Sequence, residues 1–202
     1  SITAGIVAHQ ELESWSNDYA LEGLYKKETT EDAAGVEEER TSAQKFFGSA
    51  QGNYKLENPD NRLFGFASYE DDRFSNFNYQ STIAAGWNQK VLENKRHTLE
   101  YSIGPGYSFI ETQDGENLDS VIVRASSAYS WKISDTANFK QLLSTEVGAD
   151  NTKSKSETSV SAEISEGLSL KVSLTLDHNS DVTGDTENLD TQTSVTLVYS
   201  FF

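Results

Sequence analysis

The sequence predicts an all-β fold, an antiparallel up-and-down transmembrane β-barrel of about twelve strands, about eleven of them carried by this chain. Three observations predict it. Polar and apolar residues alternate with a period of two along most of the chain. The alternating runs are longer than the usual globular strand of about 5–6 residues. The connections between them are short and long in turn, as in barrels that stand across a membrane.

The strands fall in order near 2–12, 16–28, 41–57, 62–72, 75–90, 96–111, 118–134, 137–149, 155–166, 168–178 and 190–202. Successive side chains of a strand face opposite sides, so each run has two faces. In SLKVSLTLD, Leu170, Val172, Leu174 and Leu176 share one face, and Ser169, Lys171, Ser173, Thr175 and Asp177 the other. Val121, Val123, Ala125, Tyr129, Trp131 and Ile133 oppose Arg124, Ser126, Ser130 and Lys132. Leu99, Tyr101, Ile103, Tyr107 and Phe109 oppose Thr98, Glu100, Ser102, Gly104 and Gly106. No helical stripe is comparably sustained, and one domain spans 1–202.

Short connections are read near 13–15, 58–61, 92–95, 134–138 and 166–167. Longer ones are read near 29–40, 71–75, 112–117, 150–155 and 179–190. Their Asp, Asn, Gly and Pro are turn-forming residues. The triplet Gly104-Pro105-Gly106, with Gly86, marks a bulge or kink, because Pro105 cannot donate to the ladder.

A barrel with both termini on the periplasmic side needs an even number of strands. The last strand ends on that side, so eleven strands place Ser1 on the outer side. The expectation is a first strand lying outside this chain. The absence of Met, even at position 1, reads as a processed or trimmed product whose targeting segment is not included.

Composition excludes other classes. Sixteen Lys and Arg against 32 Asp and Glu give a formal charge of −16, so no basic footprint for nucleic acid exists. There is no Cys for disulfides or thiolate metal sites. The mean hydropathy of −0.58 averages both faces of the strands, so it does not argue against a membrane barrel.

The last strand resembles the outer-membrane assembly signature through Val195, Leu197, Tyr199 and Phe201, with Phe202 one residue extra. RLFGFASYEDDRF at 62–74, EYSIGPGYSFI at 100–110, AYSWKISDTANF at 128–139, EGLSLKVSL at 166–174 and TLVYSF at 196–201 are similar to the salt-induced outer membrane protein family. The likeness covers most of the chain and rests on the order and spacing of these segments. It implies an outer-membrane barrel without assigned biochemical function and brings no catalytic residues. It also implies one more strand, ahead of the region that begins here.

Aromatic residues collect where membrane meets water. The expected girdle is Tyr19, Tyr25, Tyr54, Trp87, Tyr101, Tyr107, Tyr129, Trp131 and Tyr199. With the apolar face outward, the inner face carries Glu22, Lys26, Lys45, Arg62, Glu70, Asp72, Lys90, Glu100, Arg124, Lys132, Lys140, Glu146, Glu157, Glu163 and Lys171. Two readings stay open: these charges pair and fill the lumen, or they line a narrow pore.

No enzyme is expected. Asp177 and His178 face opposite sides, and His9 and His97 match no catalytic pattern. There is no phosphate-binding Gly loop and no metal-spaced His cluster, so no cofactor or metal is expected. The acids Asp114, Glu116, Asp119, Asp181, Asp185, Glu187 and Asp190 follow no Ca²⁺-loop pattern and read as solvated loops. The expected partners are membrane lipid, lipopolysaccharide and the barrel-assembly machinery, the last through the C-terminal strand. The expected location is the bacterial outer membrane. The expected role is structural or in envelope and salt adaptation, the alternative a small-solute or ion channel. A soluble ligand-binding barrel and a membrane hydrolase rank behind both.

Overall fold

Eleven strands form one sheet in which every strand pairs antiparallel with its sequence neighbour, from the first to the last. The computed structural model describes residues 2–31, 37–72, 77–113, 115–149, 151–165, 168–180 and 188–199, with side chains within 5–25, 44–72, 77–113, 115–149, 151–165, 168–180 and 188–198. The strands are β1 (Ile2–Glu11), β2 (Trp15–Glu31), β3 (Glu37–Lys55), β4 (Asn61–Asp72), β5 (Phe77–Glu93), β6 (His97–Thr112), β7 (Ser120–Lys132), β8 (Ala137–Val147), β9 (Thr152–Ser165), β10 (Leu168–Asn179) and β11 (Leu189–Tyr199). β1 and β11 come side by side, so the sheet curls into a nearly closed barrel. No ladder joins them among the described residues. An odd count makes these two strands run in the same direction.

Alternation predicts the strands because it is a local property of the chain. Four of the expected long connections are shorter than read. The segment 29–40 is strand on both sides, with β2 reaching Glu31 and β3 starting at Glu37. β4 reaches Asp72, β9 starts at Thr152 and β11 starts at Leu189. Charged and Thr-rich stretches read as loops continue the ladder where a partner strand supplies their hydrogen bonds. A register shift between Lys26 and Lys27 accompanies the β2–β3 extension.

At the other end, tight turns use side chains as backbone partners. Asn94 Oδ1 accepts from the N–H groups of Arg96 and His97, both at 2.9 Å. Ser134 Oγ accepts from Ala137 N at 3.1 Å. Asn58 Oδ1 accepts from Asp60 N at 3.1 Å.

The Gly-Pro-Gly segment differs from expectation in detail. Ala84 faces Gly106 and Trp87 faces Ile103, so the β5–β6 register is the same on both sides of Pro105. No bulge is inserted there; the register shifts lie at Phe77/Tyr79 and Lys90/Leu92. The ladder instead loses two pairs, and the backbones of Gly86 and Gly104 close up. A Cβ on Gly86 would sit 2.6 Å from the Cα of Gly104, and one on Gly104 would sit 2.1 Å from the carbonyl oxygen of Ala85. Bare inner faces let the two strands turn a corner.

Candidate functional site

The interior is the candidate site, because the barrel is inverted relative to a water-soluble one. The large hydrophobic residues of the alternating runs stand on the outer wall. Val121 is 70% exposed, Val195 64% and Leu197 62%. Among the described residues the buried hydrophobic side chains are Phe64, Ala84, Ile110 and Ile122. The buried polar ones are Ser16, Asn53, Arg62, Gln80, Thr82, Asn88, Ser102, Ser108, Arg124, Ser159 and Ser173. In a soluble fold the larger buried group is apolar. Here hydroxyls, amides and guanidinium groups outnumber it.

Many of these buried groups bond to one another, as buried polar groups generally do, while Asn88 Oδ1 and Arg124 Nε make no hydrogen bond among the described residues. Ser102 Oγ and Ser126 Oγ lie 2.7 Å apart, as do Ser173 Oγ and Ser194 Oγ. At the tight-turn end, Arg62 donates to Ser16 Oγ and to the Pro59 carbonyl, each at 3.1 Å. Lys55 pairs with Glu11 and donates to the Leu12 carbonyl at 2.5 Å. Glu100 lies within electrostatic reach of Asp18, Arg62, Lys90 and Lys140.

In the half nearer the long connections, side chains meet across the interior. Glu70 on β4 accepts Lys45 of β3 on one oxygen and Lys153 of β9 on the other, each at 2.7 Å. Lys153 also donates to Gln80 Oε1 of β5 at 2.5 Å. Thr82 of β5 donates to Glu146 of β8 at 3.0 Å. The Arg124 guanidinium of β7 lies 3.7 Å from the centre of the Phe66 ring of β4 and 3.4 Å from Glu146. Lys155 of β9 stands over the Phe47 ring of β3 at 4.9 Å, with Asp177 of β10 at 3.8 Å. β3–β5 are thus tied to β7–β9, strands that are not their neighbours in the sheet. These contacts draw the two walls together there, close to the glycine corner between β5 and β6.

The residues expected inside are distributed unevenly. Lys45, Arg62, Glu70, Asp72, Lys90, Glu100, Arg124, Glu146, Glu157 and Lys171 are buried or half-buried on the inner phase. Glu157 and Lys171 pair at 2.5 Å. Glu22, Lys140 and Glu163 share that phase but are exposed. Lys132 sits at the rim, bonded to Asp135 of the adjoining turn at 3.0 Å. The side chain of Lys26 lies outside the described residues.

Of the expected girdle, Tyr19, Tyr25, Tyr54, Tyr101 and Trp131 are exposed, and Trp87, Tyr107 and Tyr129 are half-buried on the same outer phase. The Tyr101 hydroxyl donates to Gln89 at 2.8 Å. The rings gather at both ends. Trp15 meets Tyr54 edge-on at 5.1 Å, and His97 stacks with Tyr129 and Trp131 at 6.1 Å each, at the tight-turn end. Tyr69 stacks on Tyr79 at 6.1 Å and Tyr107 packs on Phe109 at 4.8 Å, toward the other. In the terminal strand Val195 and Leu197 are on the outer wall, while the Tyr199 side chain and Phe201 lie outside the described residues.

Sequence reasoning missed Trp15, which reads as part of a turn, and Tyr69, Tyr79 and Phe139, the last edge-on to Tyr129 at 6.3 Å, although the alternating phase places these three outward. It also missed Lys153 and Lys155, because 150–155 reads as a connection and β9 begins earlier, at Thr152. The pair His9 Nδ1–Asp18 Oδ1 at 2.7 Å is set by the β1–β2 register, with Glu11 3.2 Å from the other ring nitrogen. Both ring nitrogens are therefore engaged by carboxylates. Among the described residues no three His, Asp or Glu side chains form a group able to hold a metal ion.

Replacing Arg124 by Lys tests how the pinch is built. Lys keeps the charge but loses the planar stack on Phe66 and the forked donor set. The expected loss is about 1–2 kcal/mol, seen as a lower urea midpoint in detergent micelles; an unchanged midpoint would show that the guanidinium plane contributes nothing.

An up-and-down antiparallel barrel with an apolar outer wall, aromatic clusters at both ends and a polar, cross-linked interior is the class of protein that fold and site define. The chain belongs to the family described as Protein of unknown function, DUF481, whose model matches residues 1–201. It is also similar to the Uncharacterized protein YdiY of Escherichia coli (strain K12), 29% identical over 160 residues. That alignment covers 79% of this chain and 63% of the relative, so the chain spans less than two thirds of that relative's length.

Proposed function

We propose that this protein is an outer-membrane β-barrel with a structural role in envelope or osmotic adaptation, its lumen filled rather than conducting. The inverted burial carries the reading: hydrocarbon-compatible side chains outside, mutually bonded polar ones within. Lipid cannot satisfy a strand's backbone, so a sheet in it must close on itself. The unpaired edges of β1 and β11 then need a partner, which a further strand antiparallel to both would supply. The tight turns face the periplasm and the long connections the outside. The outer wall meets lipid, the acidic outer connections lie among lipopolysaccharide headgroups, and the assembly machinery engages the last strand. The role is not enzymatic.

Planar-bilayer recording tests this reading. The folded protein, confirmed by heat-modifiable gel migration and insertion into phospholipid vesicles, should give no single-channel steps. Reproducible steps would overturn the filled lumen, and recovery without detergent or vesicles would overturn the membrane location. A narrow channel is the second reading. It is favoured by one observation: Glu22, Lys140 and Glu163 are exposed on the inner phase, so the interior is less packed there than along β3–β7.

A further inference from the structure

We propose that Glu70 is the latch of a closable passage: bridging Lys45 and Lys153, it holds the two walls of the lumen together, and without its charge the barrel passes small anions. The proposal rests on the membrane-barrel reading.

Position sets Glu70 apart from the other interior acids. Glu157 binds Lys171, which lies on the adjacent strand β10. Glu146 faces Arg124 on the adjacent strand β7. Such neighbours need no crossing of the lumen. Glu70 and Lys153 lie on β4 and β9, five strands apart in the sheet, yet stand 2.7 Å apart. Among the described residues Glu70 is the carboxylate that two lysines of different strands share, one oxygen each. All three side chains are largely removed from solvent. Salt screens such buried pairs far less than exposed ones, so the link persists at high ionic strength.

The shared carboxylate also holds two like charges close together. Lys45 and Lys153 repel once it is neutral, and each is tied to a different wall. The remaining ties across the pinch are weaker in kind. Lys153 keeps a single hydrogen bond to the neutral Gln80, Thr82 gives Glu146 another, and Arg124 and Lys155 rest on the faces of Phe66 and Phe47. Loss of the Glu70 charge leaves the Lys45 and Lys153 ammonium groups without the carboxylate they share, so the passing ions are anions.

The test is planar-bilayer recording of E70Q beside the wild type. Gln keeps the shape and removes the charge. The expected result is stepwise current from E70Q with an open fraction raised by roughly tenfold or more, and a reversal potential in a KCl gradient on the chloride side. K153Q cuts the same link from the opposite wall and should also give stepwise current, without the chloride preference because Lys45 keeps Glu70 as its partner; it covers a failure of E70Q to fold, and the selectivity is read on E70Q alone. The triple change K45E/E70K/K153E restores the pairing with signs reversed and should be silent again. E70Q and K153Q that insert into vesicles, migrate heat-modifiably and yet stay silent overturn the latch while the barrel reading stands. Openings selective for potassium overturn the anion path. Failure of wild type and variants alike to insert overturns the barrel reading itself.

Discussion

Gly104→Ala should lose at least about 3 kcal/mol of stability and much of the folded fraction, because the added methyl has nowhere to go. Its Cβ would lie 2.1 Å from the Ala85 carbonyl oxygen and 2.7 Å from the Cα of Gly86. Both obstacles are backbone, so no rotamer change relieves the overlap. The strands must part, and the β5–β6 corner opens. The heat-modifiable band and the urea midpoint report the loss. Gly65→Ala is the matched control, since a Cβ there meets nothing within 4 Å. Equal midpoints for the two variants would remove the corner from the account of the fold.

Val172→Arg should cost about 2–4 kcal/mol if the outer wall lies in lipid near the bilayer midplane, where a guanidinium loses its hydration. Val172 is exposed on β10, and its neighbour Ser173 is buried on the inner phase. In water an exposed Val→Arg change is nearly neutral, within about 0.5 kcal/mol. The same substitution therefore separates a membrane barrel from a soluble one. Refolding into phospholipid vesicles, followed by urea titration, measures it. A near-zero effect would sink the membrane location and leave the fold untouched.

Eleven strands were legible because alternation is local: a run such as SLKVSLTLD states its two faces without reference to any partner. The sign of the phase was legible for the same reason, since runs such as 169–177 put Leu and Val on one side, although Ile110 and Ile122 fall on the inner phase. The ends of the strands were less so. Thr29, Thr30 and Glu31 in β2 and Glu37, Glu38 and Glu39 in β3 read as loop by composition, yet pair with each other once the hairpin is in register. Propensity yields there to an available partner.

The interior shows the same division. That Glu70 points inward follows from the phase of β4; that Lys153 lies on a strand at all, and meets it, does not. Their contact depends on how sharply the sheet curls, which is decided where Gly86 meets Gly104 across two strands. Each of those glycines is visible in the sequence, but their juxtaposition is a matter of register. His9 and Asp18 are a similar case, joined by the β1–β2 pairing.

The amino-acid order by itself determined the strands, their direction, the apolar outer wall and the charged inner phase, because a strand's two faces are written residue by residue. Only the tertiary structure decided that the inner charges cross-link opposite walls. The distance between strands five places apart is set by curvature and closure of the whole sheet, and no local pattern encodes it.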